Sequence, residues 1–538
     1  MKYFITIKKP LSYKKSKRKL ITVMGSLITL LLAIAVLLPV KKFAENIEQY
    51  NNTNVSKAEA LLEMNLTEKQ KLNDFNAFFN VVTTSNPMIN DYKDLYGFSF
   101  SEREEQYKNI VKSTQNDFEF YCVMNAIAND IPSIHTSFFF PDYETIQSYY
   151  CYNAENTIAT KDLEASTYYW YNTIKKSFQN KEYNTLIFNY IDGKYVNNDA
   201  LSSYKLPYTL IEITKINDIP INKYIQNHLS ISKLQYDFIN NIPYRPALLF
   251  NDKYGEPVQL EFVAENGEII TQNMYVDLYS EYAFACQNCY LEQLVEDLPE
   301  SHYSVDLVQD NEIIYVYVND FSNSYGTQLY SDLRNAILHN NASVILDLRN
   351  NTGGTIDYER TFLYPSLFNT DITRKDTAYM ICSKNNRKVY NNYILQSVHG
   401  FKRLKEDCGF NSDNSYMYTE TDYFYRGDNN VKTDVYILTS PVTASAADHF
   451  VSVVKDNNLA TIIGTNTAGE GMMGTLFMDS LPNSKLVYLY TPAKAFNSDG
   501  TDNSTYGTAP DIYAELSVSG FEKKQQLISE GIDPYTYE

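Results

Sequence analysis

An apolar strand that runs through a turn into a helix constrains the fold of this chain more than any other feature. Residues 434–440 (Asp-Val-Tyr-Ile-Leu-Thr-Ser) have strand length, and residues 450–454 (Phe-Val-Ser-Val-Val) continue a helical pattern. Ser445 stands between them, where the first N–H groups of a helix have no acceptor and the dipole favours negative charge. A serine oxygen here could attack a carbonyl and leave an oxyanion facing these amides. The ordinary alternative is that Ser445 only caps the helix.

A second buried strand ends in two glycines. Residues 342–348 (Ala-Ser-Val-Ile-Leu-Asp-Leu) form an apolar run, and Gly353 and Gly354 follow within a short polar turn. Glycines at the end of a strand permit positive φ and a close approach of the backbone to a ligand. Ligands of α/β sheets bind outside the carboxyl ends of the strands. This turn is therefore a second candidate for the site, with an ordinary tight turn as the alternative.

Together the two stretches resemble the tail-specific, or C-terminal-processing, peptidases and their relatives, the tricorn core protease and interphotoreceptor retinoid-binding protein. That family carries a D-L-R-x-N-x-G-G strand end, then T-A-S-A-[AS]-[ED] at the nucleophile and a G-x-x-T-x-G turn. This chain has all three in that order, the last at residues 464–469. The resemblance implies an α/β catalytic domain with a parallel-centred, ClpP/crotonase-like sheet. It also implies serine peptidase activity without a metal or an organic cofactor.

The resemblance offers two bases for the nucleophile, since a serine hydroxyl needs a base to take its proton. Some members use the lysine of T-x-G-K-G, but Glu470 occupies that position here and cannot act as a neutral amine. The tricorn-like members use an N-terminal histidine, which His135 matches, although Ser133 stands where the family usually has aspartate. Histidine titrates near neutrality and suits proton transfer. We therefore expect His135 to be the base for Ser445.

The remaining catalytic groups are assigned by analogy. The family usually has a glutamate shortly before the glycine of its closing G-[VIT]-x-P-D-[IV] turn, which is Gly507 in this chain. That glutamate is missing here, so Glu470 and Asp502 are the candidates for the acid that orients the histidine. For the oxyanion hole we expect the backbone N–H groups of Gly354 and Ala446. His449 lies one helical turn after the nucleophile and could point toward it, although a packed or exposed place on the helix is the more ordinary expectation.

The 538 residues are too many for one ordinary core. We predict four parts: a cytoplasmic basic segment and transmembrane anchor (1–42), an N-terminal helical region with His135 (43–180), a PDZ-like β-rich module (181–300) and an α/β serine peptidase domain (301–538). The loop at residues 206–208 (Leu-Pro-Tyr) differs from the Gly-Leu-Gly-Phe-like loop of such modules. Peptide capture by β-augmentation and simple packing against the peptidase domain both remain open.

The N-terminus has the pattern of a membrane anchor. Residues 1–19 carry eight basic side chains and no acidic one, and residues 20–40 carry no charge. This length can span a bilayer as a helix, and the basic flank predicts a cytoplasmic N-terminus. We expect a single-pass protein of the cell membrane with an extracytoplasmic C-terminal domain. A cleaved signal peptide and a secreted protein are the alternative.

Charge and cysteines limit the partners. After residue 42 the chain holds 36 basic and 65 acidic residues, a formal charge of −29 that argues against nucleic acid. The simplest disulfide scheme pairs cysteines that are neighbours in the sequence: 122 with 151, 286 with 289, and 382 with 408.

The expected partners are a peptide or protein substrate and the membrane, while the oligomeric state is not predicted. The alternative function is that of a catalytically inactive member acting as an extracellular binding protein.

Overall fold

The computed structural model describes residues 65–139, 160–178, 185–276, 302–386 and 416–515, with short gaps inside these ranges, and a few positions outside them. Residues 62–142 and 155–538 belong to one compact unit, which contains every contact given below. The predicted membrane segment lies outside the described residues, as do Cys151, Cys286, Cys289 and Cys408. The anchor and the disulfides therefore stay predictions. Within the described ranges, no helix combines the length and apolarity needed to cross a bilayer.

The described part of the N-terminal region is mainly helical, as predicted. Phe75, Phe78 and Phe79 recur on one side of the first helix and are buried. Thr67 starts that helix with a capping box, in which its hydroxyl accepts from Gln70 N–H. The helices are α1 Glu68–Ser85, α2 Lys93–Tyr96, α3 Glu104–Ser113, α4 Asp117–Asn129 and α5 Thr160–Phe178, with a 3-10 turn at Phe100–Arg103 and a short strand β1 Ser137–Phe138.

Residues 185–276 form a β-rich module, and its likeness to a PDZ module stays a prediction. The module contains an Asn-Asp turn, with Asn217 at φ 50° and Asp218 at φ 60°, values that these two residue types tolerate better than most. The elements are β2 Thr185–Ile191, β3 Lys194–Asn197, β4 Ile211–Ile216, β5 Ile219–Pro220, α6 Ile221–Asn227, β6 Gln235–Asp237, β7 Ile242–Tyr244, β8 Ala247–Asn251, β9 Glu256–Ala264 and β10 Ile269–Val276. The main sheet has the order β10-β9-β4-β3-β2-β8, with β5 beside β4.

The peptidase domain is built on a six-stranded sheet that is parallel at its centre, as predicted. Its strands are β11 Tyr303–Val308, β12 Ile313–Val318, β13 Ser343–Asp347, β17 Val435–Thr439, β18 Thr461–Gly464 and β22 Ile512–Tyr513. They lie in the order β11-β12-β13-β17-β18-β22. Only β11 runs antiparallel to its neighbour; the four other pairings are parallel.

Helices and a second sheet complete the domain. One helix joins β12 to β13, and another follows β17. The segment between β13 and β17 contains two long strands that pair antiparallel over ten positions. The helices are α7 Asn323–His339, α8 Ile356–Tyr358, α9 Tyr364–Leu367, α10 Ala446–Asp456 and α11 Asn503–Tyr506, with a π-helical turn at Glu359–Leu363. The other strands are β14 Ile372–Ile381, β15 Lys402–Arg403, β16 Tyr416–Tyr425, β19 Phe477–Ser480, β20 Val487–Tyr490 and β21 Ala493–Ala495.

The N-terminal region packs on the β19–β20 hairpin of the peptidase domain. Strand β1 pairs with β20, with Ser137 opposite Leu489. The buried carboxylate of Asp74 accepts from the N–H groups of Asn483 (2.8 Å) and Ser484 (2.7 Å) at the hairpin turn. These contacts hold the loop between α4 and β1, which carries His135, against the peptidase domain.

Candidate active site

Ser445 occupies a strained turn between β17 and α10. Its backbone has φ 53° and ψ −126°, a combination that L residues rarely adopt, and its side chain makes no capping hydrogen bond to the helix. The turn is held by Ala444 N–H, which donates to Asn351 O (3.0 Å), and by Ser445 N–H, which donates to Gly469 O (3.0 Å). The hydroxyl therefore does not serve as an ordinary helix cap, because it makes no hydrogen bond to the first turn of the helix. Backbone contacts hold the turn instead.

The glycine turn presses against this serine. Gly353 and Gly354 have φ 102° and 143°. A Cβ added at Gly353 would lie 2.7 Å from Ser445 Cβ and 2.8 Å from Ala446 N, closer than real contacts of this kind. Only glycine fits at this position without displacing the nucleophile turn. The turn itself is fixed because Phe321 N–H donates to Gly353 O (2.7 Å).

The two nominated oxyanion donors are available. Among the described residues, no backbone–backbone hydrogen bond outside the helices and strands uses the N–H of Gly354 or of Ala446. Ala446 is the first residue of α10, so its N–H has no acceptor within the helix. Gly354 lies in an isolated parallel bridge with Phe321, which uses the flanking Gly353 O and Thr355 N–H instead. Both amides could therefore donate to a ligand oxygen.

Of the two candidate acids, Glu470 is the one that lies beside His135. His135 Nδ1 lies 2.9 Å from Glu470 Oε2. The contact is close but not aligned as a hydrogen bond, since Nδ1 has no hydrogen-bond partner in the described structure. The buried Glu470 carboxylate also accepts from Ile134 N–H (3.2 Å) and from the hydroxyl of Thr491 (3.0 Å).

Asp502 has other partners. Its carboxylate accepts from Ser504 N–H (3.0 Å) at the start of α11 and from the Thr505 hydroxyl (3.1 Å). It also faces Lys494 Nζ at 3.5 Å, and Lys494 pairs more closely with Asp91 (2.7 Å). Asp502 makes no contact with His135 in the described structure. Its expected role as the orienting acid therefore has no support from the geometry, because its carboxylate caps a helix and pairs with a lysine.

Ser133, which replaces the family's aspartate, helps to shape the His135 loop. Its hydroxyl lies 3.0 Å from the Thr491 hydroxyl and accepts from the Thr136 hydroxyl at 3.1 Å. Thr491 in turn donates to Glu470, so one chain of hydroxyls links the loop to the acid. A neutral serine can take part in this chain without adding a second negative charge next to Glu470.

Asp448, three residues after the nucleophile, joins the sequence motifs to one another. The fully buried carboxylate accepts from the hydroxyls of Thr467 (2.5 Å) and Thr508 (2.7 Å) and from Asn503 Nδ2 (2.9 Å). Burial raises its pKa, and these donors oppose that change. Asp448 was not among the predicted site residues, although the acidic position of the nucleophile motif was a signal for it.

His449 is packed rather than directed at Ser445. Its ring is fully buried, with Nδ1 2.6 Å from Glu359 Oε1 and Nε2 2.7 Å from Asp376 Oδ2. Burial opposes a charged ring, but the two carboxylates outweigh it and raise the pKa of His449 to about 10. The imidazolium thus ties α10 to the π-helical turn and to β14. No local sequence pattern predicted this ion cluster.

Comparisons with known proteins found one matching family model and several similar solved structures. Residues 312–514 match the model of peptidase family S41. No curated protein sequence matches the chain. Among solved structures, mature CPAF is similar at 12% identity and TM-score 0.49, covering 86% of this chain and 98% of its own. The photosystem II D1 C-terminal processing protease has 12% identity and TM-score 0.32 over 84% of this chain and 94% of its own. The tricorn protease has 14% identity and TM-score 0.32 over 87% of this chain and 36% of its own.

The matched segment contains the nucleophile turn, the glycine turn and Glu470, whereas His135 lies before it. The chain therefore carries, over residues 312–514, a domain of peptidase family S41, a family of serine peptidases.

Proposed function

We propose that the protein is an endopeptidase that cleaves peptides or protein tails through an acyl-enzyme on Ser445, with His135 as the base and Glu470 as its orienting acid. One observation carries the proposal. Gly469 O accepts the N–H of Ser445 (3.0 Å), and the next residue, Glu470, lies 2.9 Å from the His135 ring. Two consecutive residues thus touch the nucleophile and the base, which lie 310 positions apart in the sequence.

Each group has a defined step in this chemistry. Glu470 at Nδ1 favours the tautomer in which Nε2 of His135 accepts a proton. As Ser445 Oγ bonds to the substrate carbonyl carbon, its proton moves to Nε2. The N–H groups of Gly354 and Ala446 stabilise the resulting oxyanion. Collapse breaks the C–N bond, and the imidazolium returns the proton to the leaving amine. Water then repeats the sequence and frees the acid product.

A catalytically inactive binding protein is the second candidate. The observation that favours it is that no hydrogen bond joins the Ser445 hydroxyl to His135 in the described part of the chain, and that Nδ1 is not aligned with Glu470. Catalytic hydrogen bonds are often long without substrate and tighten in the complex. We favour the enzyme because the strained nucleophile turn, the glycine turn against it and the buried acid beside His135 are parts that acyl-enzyme chemistry needs.

Location is part of the proposal. The basic segment followed by 21 uncharged residues supports a single-pass anchor with the peptidase domain outside the cytoplasm. The full chain should then fractionate with membranes, and protease added to intact cells should digest the part after Lys42. A protein recovered from the medium with its N-terminus near residue 43 would instead indicate a cleaved signal peptide.

Peptide hydrolysis by matched variants tests the enzyme. Ser445→Ala and His135→Ala should each lose nearly all turnover while retaining the fold. Two controls match them: Ser324→Ala, also a serine in the first turn of a helix, and His339→Ala, an exposed histidine. Both controls should keep wild-type activity. If Ser445→Ala hydrolyses the peptide as fast as the wild type, Ser445 is not the nucleophile.

A further inference from the structure

Lys233 of the β-rich module reaches the loop that carries His135. Its Nζ donates to the carbonyl oxygens of Ser133 (2.7 Å), Thr136 (2.9 Å) and Ile131 (3.3 Å). An ammonium has three N–H donors, so all of them are used on this one loop. The three carbonyls bracket His135 on both sides. Lys233 therefore fixes the path of the backbone on either side of the imidazole.

Neighbouring contacts hold this lysine in place. Leu234 N–H donates to Asn129 O (2.9 Å) at the end of α4. Arg245, also from the module, donates to the buried carboxylate of Asp130 at 2.5 Å. Both acceptors lie just before the His135 loop. The position of Lys233 is thus fixed by contacts that do not themselves touch the loop carbonyls.

The surroundings of Lys233 make its charge sensitive to pH. Burial lowers the pKa of the ammonium to about 8, with Glu470 raising it and Arg245 lowering it further. Arg245 is itself paired with Asp130, and His135 is the other titratable group on the loop that Lys233 contacts. The neutral amine would have one donor fewer and no charge to strengthen its bonds to the carbonyls.

We propose that Lys233 is a positioning residue for the reaction: its ammonium holds the loop at residues 131–136 so that His135 stays between Glu470 and Ser445. This inference rests on the proposed function of His135. It assigns the β-rich module a part in catalysis that does not require the module to bind a peptide. Misplacing a reacting group by about 1 Å can cost on the order of 100-fold in rate, so loss of this anchor should be visible in turnover.

Three variants of the full chain test the proposal. Lys233→Met removes the charge and keeps the length of the stem. Lys233→Arg keeps a charge that is not lost below about pH 12. Lys223→Met, at an exposed lysine on α6 of the same module, is the matched control. Thermal melts of all three establish that the fold is retained.

The expected kinetics separate positioning from general destabilisation. Lys233→Met should lower kcat about 10- to 100-fold with little change in KM, whereas Lys223→Met should match the wild type. Wild-type kcat should fall as pH rises through about 8, because Lys233 then loses its proton. Lys233→Arg should retain measurable turnover without this fall between pH 8 and 9.5. Wild-type kcat in Lys233→Met, or an alkaline fall unchanged in Lys233→Arg, would overturn the proposal.

A crystal structure of Lys233→Met decides the matter independently of activity. We expect its His135 ring to be displaced from Glu470, where the wild-type separation is 2.9 Å. An unchanged ring position would refute the positioning role even if the proposed function holds. Conversely, full activity in Ser445→Ala would refute the proposed function and leave the structural test of Lys233 standing.

Discussion

Replacing Ser445 by glycine should stabilise the protein relative to replacing it by alanine, although both variants lack the nucleophile. The backbone at this position has φ 53° and ψ −126°, which glycine adopts readily and residues with a Cβ do not. Such strain typically costs about 1–3 kcal/mol. Glycine loses about 0.5–1 kcal/mol through its greater freedom in the unfolded chain. The net advantage of Ser445→Gly over Ser445→Ala therefore lies between roughly 0 and 2.5 kcal/mol, centred near 1 kcal/mol.

The assay needs a control because glycine is also a better helix cap than alanine. Ser322 caps α7 with ordinary extended backbone (φ −90°, ψ 128°), and like Ser445 its side chain makes no capping hydrogen bond. The free energies of unfolding of Ser322→Gly and Ser322→Ala measure the capping preference together with the cost of the greater freedom of glycine in the unfolded chain. Since these two terms cancel between the positions, the glycine advantage should be larger at Ser445 than at Ser322 by the strain, about 1–3 kcal/mol. Equal differences at the two positions, or a Ser445→Gly variant less stable than Ser445→Ala, would show that the nucleophile turn stores no strain.

Three further predictions concern the surroundings of the nucleophile. His449→Ala should cost about 3–5 kcal/mol in chemical unfolding, since it leaves the Glu359 and Asp376 carboxylates buried without their shared cation; a cost below 1 kcal/mol would contradict the charged ring. Because folding raises the pKa of His449 from 6.5 to about 10, its contribution to stability should be full below pH 6.5 and lost as pH rises toward 10. His449→Ala should flatten that part of the stability profile. Gly353→Ala should abolish turnover, because its Cβ would lie 2.7 Å from that of Ser445, whereas Gly500→Ala, also at positive φ but in open space, should keep it; comparable activity in both would show that the close approach is not needed.

Local sequence patterns predicted the frame of the site well. The apolar runs at residues 342–348 and 434–440 contain β13 and β17, and the helical pattern at residues 450–454 lies within α10. Periodicity and turn residues suffice here because both are properties of neighbouring residues. The turn that presents Ser445 and the glycines opposite it follow from where those elements end.

Contacts between distant parts of the chain could not be predicted in this way. Glu470 and Asp502 were equal candidates from the sequence, and only the packing of the His135 loop on the peptidase domain separates them. Lys233 reaches carbonyl groups about 100 positions away, and a carbonyl acceptor leaves no mark in the sequence. Glu359 meets His449 across 90 positions for the same reason. Such partners depend on three-dimensional packing rather than on any local period.

The most direct test of the central claim is to react the purified protein with a serine-directed fluorophosphonate and to locate the adduct by mass spectrometry. We expect a single adduct on Ser445 that forms much more slowly in His135→Ala and in Glu470→Gln, and at the wild-type rate in His339→Ala. An adduct on another residue, or no adduct from a folded protein that hydrolyses peptides, would contradict the assignment of Ser445, His135 and Glu470 as the catalytic groups.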